Sequence, residues 1–248
     1  MVLRTEALRK NFGSLEVARD VSLSLPRGAR HALIGPNGAG KTTLINLITG
    51  QLRPDSGSIL LDGEDITARP VAARVRRGLT RTFQINTLFP DLTPIEAVTL
   101  AVCEREGAAG QFWRRLSAQT EAIDEAHAIL SRLGLAEVAT RTTRTLAYGQ
   151  QRLLEIALAL ATKPKVLLLD EPAAGVPKDE SAMLFSVIAA LPEDISVLFI
   201  EHDMNLVFSF ASRIIVLVSG GVLLEADPET VRTDPRVREV YLGKAGHV

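Results

Sequence analysis

The chain has 248 residues, 46% of them hydrophobic, and 28 basic against 29 acidic side chains leave a formal net charge of −1. That length suits one large α/β domain with room for a subdomain, and the balanced charge excludes a general attraction to nucleic acid. The one cysteine, Cys103, excludes an internal disulfide and a cysteine metal cluster, and is expected to be a small buried or incidental thiol.

The start, Met1-Val2-Leu3-Arg4-Thr5-Glu6, has no apolar signal core. The uncharged apolar stretches 181–192 and 214–224 fall short of the roughly 20 residues that cross a bilayer. A cytoplasmic chain is expected, one that works at a membrane only through a partner.

Residues 1–34 read as strands. Val21, Leu23 and Leu25 alternate with polar residues, as in a half-buried strand, and Pro26-Arg27-Gly28 reads as a turn. Phe12, in Lys10-Asn11-Phe12-Gly13, flanks this sheet; it either stacks on a purine or fills a core or edge position.

Gly35-Pro36-Asn37-Gly38-Ala39-Gly40-Lys41-Thr42 fits the phosphate-loop pattern G-x-x-x-x-G-K-[ST] in full. Before it, Arg30–Ile34 reads as a buried strand. After it, Thr43–Thr49 reads as a helix that stops at Gly50. The residue types suit a triphosphate. Gly35, Gly38 and Gly40 allow backbone angles and close approaches that a Cβ blocks, so N–H groups can wrap the anion. The helix from Lys41 adds its free N–H groups, including that of Thr43, and its positive dipole end. Lys41 is placed to reach the β- and γ-phosphates and the Thr42 hydroxyl to ligate Mg²⁺.

Pro54-Asp55-Ser56-Gly57 is a turn signal, followed by a strand over Ser58–Leu61. Arg69, Arg74, Arg76, Arg77 and Arg81 form a basic run, read as a solvated helix face in preference to a phosphate or lipid site. Residues 88 to about 145 carry helical patterns only. Glu121–Leu133 has Ala122, Ala126, Ile129, Leu130 and Leu133 on one side. Trp113, the only tryptophan, is expected to pack. Leu146–Arg152 precedes an apolar helix over Leu153–Thr162, and Val166–Leu169 reads as a buried parallel strand ending in Asp170-Glu171-Pro172. Ligands bind at such strand ends in open α/β sheets. A helix over Ser181–Leu191, a buried strand over Ser196–Ile200 ending in Glu201-His202-Asp203, a hairpin over 214–224 and a charged helical tail from Glu229 complete the order.

Four features fall in sequence: GPNGAGKT, Gln84, LAYGQQ opening an apolar helix, and LLLDEP followed by a strand ending in His202. Over nearly the whole chain this set resembles the nucleotide-binding subunit of ABC transporters. GTPases fit poorly, because the Asn-Lys-x-Asp stretch is absent. Chromosome-maintenance ATPases fit poorly too, because no long coiled coil separates the motifs.

The resemblance implies an ABC-type phosphate-loop ATPase core with an antiparallel β subdomain (residues 1–87 and 158–226), an inserted helical subdomain (88–157) and a tail (227–248). It implies ATP and Mg²⁺ as ligands. Phe12 resembles the adenine-stacking aromatic, Asp170 the Mg²⁺ ligand, Glu171 the base that polarises the attacking water, and His202 the switch histidine at the γ-phosphate. Gln84 resembles the residue that meets Mg²⁺ and water while its loop follows the membrane partner. The groove near Ile85–Pro94 is then expected to receive a helix of the permease. Such subunits work as head-to-tail pairs, in which Ala147, Tyr148, Gly149 and Gln150 of one chain close on the ATP of the other, again at a helix N-terminus.

Within the family, Tyr148-Gly149-Gln150-Gln151-Arg152, Ile200–Met204 and Val240-Tyr241-Leu242-Gly243 resemble the ATPases of branched-chain amino acid uptake, which work with two permeases, a second ATPase and a periplasmic binding protein. Lipopolysaccharide-export ATPases share a similar Tyr-Leu-Gly tail. Two departures stand out. Ala147 replaces the family's usual serine, and the loop Ala173-Ala174-Gly175-Val176-Pro177 is one polar residue short. The alternatives are a weakly hydrolysing regulatory half of a mixed pair and a lipopolysaccharide-export-type ATPase.

Overall fold

The computed structural model describes residues 1–82, 88–107 and 120–242. The first two strands follow from apolar alternation. β1 (Leu3–Phe12) and β2 (Leu15–Leu25) pair antiparallel and turn Val21, Leu23 and Leu25 inward, as the pattern predicts. β3 (Arg30–Ile34) leads into the phosphate loop and α1 (Lys41–Thr49), which ends at Gly50 in the left-handed region with φ 83°. β4 (Ser56–Leu61), β5 (Glu64–Asp65), α2 (Val71–Arg76) and β6 (Leu79–Arg81) follow. α3 (Pro94–Arg105), α4 (Thr120–Arg132), two short 3-10 turns and α5 (Tyr148–Ala161) form a helical layer, with α3 packed on both α4 and α5. Then come β7 (Val166–Asp170), α6 (Lys178–Ala189), β8 (Ser196–Ile200), α7 (Met204–Phe210), β9 (Arg213–Val218), β10 (Gly221–Ala226), α8 (Pro228–Thr233) and α9 (Pro235–Leu242).

The strands make two sheets. An antiparallel four-stranded sheet runs β2-β1-β4-β5. A six-stranded sheet runs β10-β9-β3-β8-β7-β6, parallel throughout except for its edge strand β10. Period-two alternation explains how both faces of the larger sheet are covered. Leu167, Leu169, Val197, Phe199, Ile214 and Val216 join the apolar cluster shared with α3 to α7. Val166, Leu168, Leu198, Ile200, Ile215 and Leu217 join the cluster shared with α1 and the antiparallel sheet. The α/β class, with a separate antiparallel sheet and an inserted helical layer, is the one expected. Because β3, β6, β7 and β8 are parallel, Ile34, Arg81, Asp170 and Ile200 end at one edge.

Several expectations change. α5 starts at Tyr148, five residues before Leu153, because the Gln150 side chain turns back and its Oε1 accepts a hydrogen bond from the Ala147 N–H at 3.1 Å. α6 starts at Lys178 rather than Ser181. β4 begins inside the turn signal, at Ser56, where Gly57 (φ 89°) lies against the backbone of Glu6 and Ala7 at an irregular step of the β1–β4 register.

The basic run is not one solvated face. Arg69 and Arg76 are exposed, but Arg74 is 1% exposed. Its guanidinium donates to the carbonyls of Leu47 at 2.8 Å and Ile48 at 2.6 Å, in the last turn of α1, and to Thr67 and Arg69. Helix C-terminal carbonyls lack intrahelical donors, and a buried arginine supplies them here. Arg81 is half-buried, in an ion pair described below. Cys103 is buried, as expected. Trp113 and Gln84 lie outside the described residues.

Candidate functional site

The phosphate loop hangs from β3 at the C-terminal edge of the parallel strands. Its three glycines serve different ends. A Cβ on Gly35 would lie 2.2 Å from the Leu217 carbonyl oxygen, so that position needs close approach. Gly38 has φ 79° and open space around it, so it needs only the left-handed backbone angle. Gly40 needs both, with φ 102° and a Cβ position 2.6 Å from the Val17 carbonyl oxygen. By position, the N–H groups of Lys41, Thr42 and Thr43 have no intrahelical acceptor and open toward the loop. Lys41 Nζ donates to the carbonyls of Gly35 at 2.7 Å and Pro36 at 3.2 Å, so the ammonium sits within the loop. Burial pulls its pKa down while Glu171 and Asp170 push it up, which places both carboxylates in its field. Thr42 is exposed, with Ala39 buried and Asn37 exposed beside it.

One wall of this loop is absent from the sequence expectations. Glu239 and Val240 of α9 join Pro36, Asn37, Gly38, Ala39, Val218 and Ser219 around an open cavity of about 450 Å³. Burial raises the Tyr241 hydroxyl to about 12, against the pull of the Gly35 backbone N–H. The only hint in the sequence is the Val240-Tyr241-Leu242 run, which carries no chemical pattern pointing at a phosphate loop.

The acidic pair sits where β7 ends. Asp170 is 3% exposed, and its Oδ2 accepts from Arg81 at 2.5 Å. A second arm of Arg81 reaches Asn46 Oδ1 on α1 at 2.6 Å. Glu171 has φ 50°, the left-handed region that a non-glycine residue rarely enters. The chain thus turns sharply off the strand while the Glu171 N–H still donates to Ile200 O at 3.0 Å. Glu171 Oε1 lies 2.9 Å from His202 Nε2. The two residues are 31 positions apart and meet because β7 and β8 are adjacent. Glu201 is 6% exposed and accepts from the N–H groups of Ala173 at 2.8 Å and His202 at 3.1 Å. Burial pushes its carboxyl up, and these two N–H groups draw it back. Arg81 and Glu201 support the site, a role the sequence does not assign them: it offers Arg81 as part of a solvated basic run and Glu201 only as a strand end.

Phe12 is 49% exposed, with the Lys10 ammonium 5.8 Å from its ring centroid. The core reading is therefore excluded, and the ring is open for stacking. Gln84 lies outside the described residues. Ala147 caps α5 without a side-chain hydrogen bond. Gly149 leaves room for the Glu180 carboxylate, whose Oε2 would be 2.5 Å from an added Cβ. The Tyr148 hydroxyl donates to Ala174 O at 3.1 Å. Polar contacts of this turn run to residues 150, 152 and 174, while Asp170, Glu171 and His202 assemble around the phosphate loop.

Among the described residues no group of three or more His, Cys, Asp or Glu side chains is placed to hold a metal. Asp170 and the Thr42 hydroxyl offer one carboxylate and one alcohol. That donor set fits Mg²⁺, which keeps waters and takes phosphate oxygens. No helix among them is long and apolar enough to cross a membrane.

A family model described as ABC transporter matches residues 18–174. A second, described as branched-chain amino acid ATP-binding cassette transporter, matches residues 222–247. The chain is 41% identical over 253 residues to the high-affinity branched-chain amino acid transport ATP-binding protein BraF of Pseudomonas aeruginosa, covering 98% of each. It is 41% identical over 252 residues to LivG of Escherichia coli K12, which carries the same description, again covering 98% of each. A solved ATP-binding cassette of an ABC transporter in its ADP conformation superposes with a TM-score of 0.86 at 33% identity, covering 98% of each chain. A dimeric post-hydrolysis cassette bound to ADP and phosphate superposes with a TM-score of 0.74 at 25% identity, covering 91% of this chain and 98% of that one.

Proposed function

The chain belongs to the ABC transporter ATP-binding family, and from that premise we propose that it hydrolyses ATP to drive the uptake of branched-chain amino acids. The observation that carries the hydrolytic reading is the 2.9 Å contact between Glu171 Oε1 and His202 Nε2 beside the phosphate loop. In this reading the adenine stacks on Phe12. The phosphates take the N–H groups of the loop after Pro36 and of the first turn of α1 through Thr43, and Lys41 leaves its two loop carbonyls for the β- and γ-phosphates. Thr42, Asp170 and Gln84 would hold Mg²⁺, which would supply charge neutralisation on the phosphate oxygens. Glu171 takes a proton from the attacking water. His202 orients that carboxylate and faces the γ-phosphate. General-base help of this kind is worth roughly 10²–10⁴-fold in rate.

Ala147 to Gln150 face the nucleotide of a second ATPase subunit in a head-to-tail pair. The ATPase core spans residues 1–87 and 158–226, and the helical layer 88–157 receives the permease. The pair then sits on the cytoplasmic face of the membrane and acts for a periplasmic binding protein. The names of the relatives and the match over residues 222–247 support the branched-chain substrate. Uptake of labelled leucine in cells lacking this chain tests the whole reading. The wild-type chain should restore uptake and Glu171→Gln should not; restoration by both would refute it. A second reading has its own support. Ala147 carries no capping hydroxyl, which fits a mixed pair whose other subunit supplies the stronger signature turn.

A further inference from the structure

The side chain of Tyr148 stands apart from the nucleotide roles just assigned. It belongs to the turn that is read as facing a partner's ATP, yet its hydroxyl is committed within its own chain. It donates to Ala174 O at 3.1 Å and accepts from Arg152 Nη2 at 2.7 Å. The Arg152 guanidinium also lies 5.0 Å from the Tyr148 ring centroid. Arg152 is in turn fixed, being 5% exposed and bonded to Glu155 at 2.8 Å. On the other side, the ring rests on Gly175, which has φ 77°; a Cβ there would lie 3.1 Å from the tyrosine ring.

Ala174 and Gly175 belong to the loop that leaves Glu171. That loop is pinned at its near end by Ala173 N–H on Glu201 Oε1 at 2.8 Å, and Glu201 also holds the His202 N–H at 3.1 Å. A continuous run of bonded groups therefore leads from His202 and Glu201, through residues 173–175, to Tyr148 and the first turn of α5. Two elements at the ends of different secondary structures are joined by the Tyr148 hydroxyl, which bonds both Arg152 and Ala174, while Arg152 Nη2 also reaches Ala174 O directly at a longer 3.5 Å.

We propose that Tyr148 is a positioning residue that clasps the loop after Glu171 to the first turn of α5, so that the hydrolytic edge and the signature turn of one chain move as one body. Only its consequence rests on the head-to-tail reading: in a closed pair the clasp would link the two nucleotide sites through each subunit.

Amide exchange of the isolated, nucleotide-free chain tests the clasp without any pair. Tyr148→Phe keeps the ring and removes the hydroxyl. Exchange at residues 173–176 should rise about fivefold, the factor for losing one hydrogen bond, with α1 and β7 unchanged. Steady-state turnover supplies the second readout: kcat should fall about fivefold with KM for ATP unchanged. Unchanged exchange at 173–176 overturns the clasp. Faster exchange with unaltered kcat leaves Tyr148 a purely structural residue and also overturns it. A raised KM with unaltered kcat makes Tyr148 a nucleotide contact and overturns it as well. Failure of the pairing reading is seen separately, as absence of an ATP-driven dimer of Glu171→Gln by light scattering, and leaves the exchange result intact.

Discussion

Two edges of the molecule carry family motifs, and they differ in how far each is finished within the chain. At the phosphate-loop edge, Lys41 is bonded to Gly35 and Pro36, Asp170 to Arg81, Glu171 to His202, and Glu201 to two N–H groups. At the signature edge, α5 opens with an alanine cap and half of a capping box, the Gln150-to-Ala147 bond. Buried charges cost several kcal/mol unless paired, so the first edge must be satisfied internally before any ligand arrives. The second edge is exposed at Ala147 and Tyr148. In the proposed head-to-tail pair that edge is completed by the other subunit and has no such need. The contrast teaches that the phosphate-loop edge pairs its charged groups at the nucleotide site itself, whereas the second edge keeps its network behind Tyr148 and leaves Ala147 without a capping hydroxyl.

The largest blow to the first edge is Glu171→Gln. The amide keeps the shape and loses the base, so ATP turnover should fall roughly 10²–10⁴-fold while ATP binding persists. Equal turnover in variant and wild type would remove Glu171 from that role. Next in size, Lys41→Ala removes charge-assisted bonds to the phosphates, a class worth about 1.5–3 kcal/mol, so ATP affinity should drop by about ten- to 150-fold. Calorimetric titration measures this, carried out below the melting temperature of the nucleotide-free variant, which should also fall because Lys41 is buried and donates to the Gly35 and Pro36 carbonyls. An unchanged affinity would move the nucleotide away from this loop.

Phe12→Ala should weaken ATP and GTP alike by about 1–3 kcal/mol, since stacking does not read base edges. Competition binding with both nucleotides checks it, and a loss confined to ATP would point to base-edge recognition instead. The smallest effect belongs to the signature edge. Ala147→Ser completes the capping box, so the nucleotide-free chain should gain about 0.5–2 kcal/mol in denaturant unfolding. In the Glu171→Gln background the same hydroxyl should also lower the ATP concentration needed for dimer formation. A gain in stability with no gain in dimerisation would make position 147 a helix cap alone and erase the distinction between the edges.

Much of this was legible in advance. The strands Arg30–Ile34, Val166–Asp170 and Ser196–Ile200 were read from short aliphatic runs with turn residues beside them, and the structure has them at those limits. α1 was legible for the same reason, with a glycine at each end. Periodicity alone does not give the start of α5, because residues 147–152 hold no aliphatic run and the helix is opened there by the side chain of Gln150; only the resemblance places a helix N-terminus at LAYGQQ. Arg74 and Arg81 were read as solvated because charge runs usually are. The burial of Arg74 depends on where α1 ends and the ion pair of Arg81 on where β7 ends, which their own neighbours in sequence do not announce.

What the sequence determined by itself was local chemistry: a glycine loop after a buried strand, a lysine and a threonine opening a helix, and a carboxylate pair ending an aliphatic run. Periodicity and backbone angle are properties of short segments, and short segments declare them. Tertiary structure alone decided the pairings: Glu171 with His202, Asp170 with Arg81, α9 with the phosphate loop, Tyr148 with Ala174. These join residues from 26 to 89 positions apart along the chain where a separation is defined by a direct hydrogen bond. The physical reason is that a polar side chain takes whatever partner the packed strands and helices bring within about 3 Å, and that neighbour is set by the order of strands in the sheet.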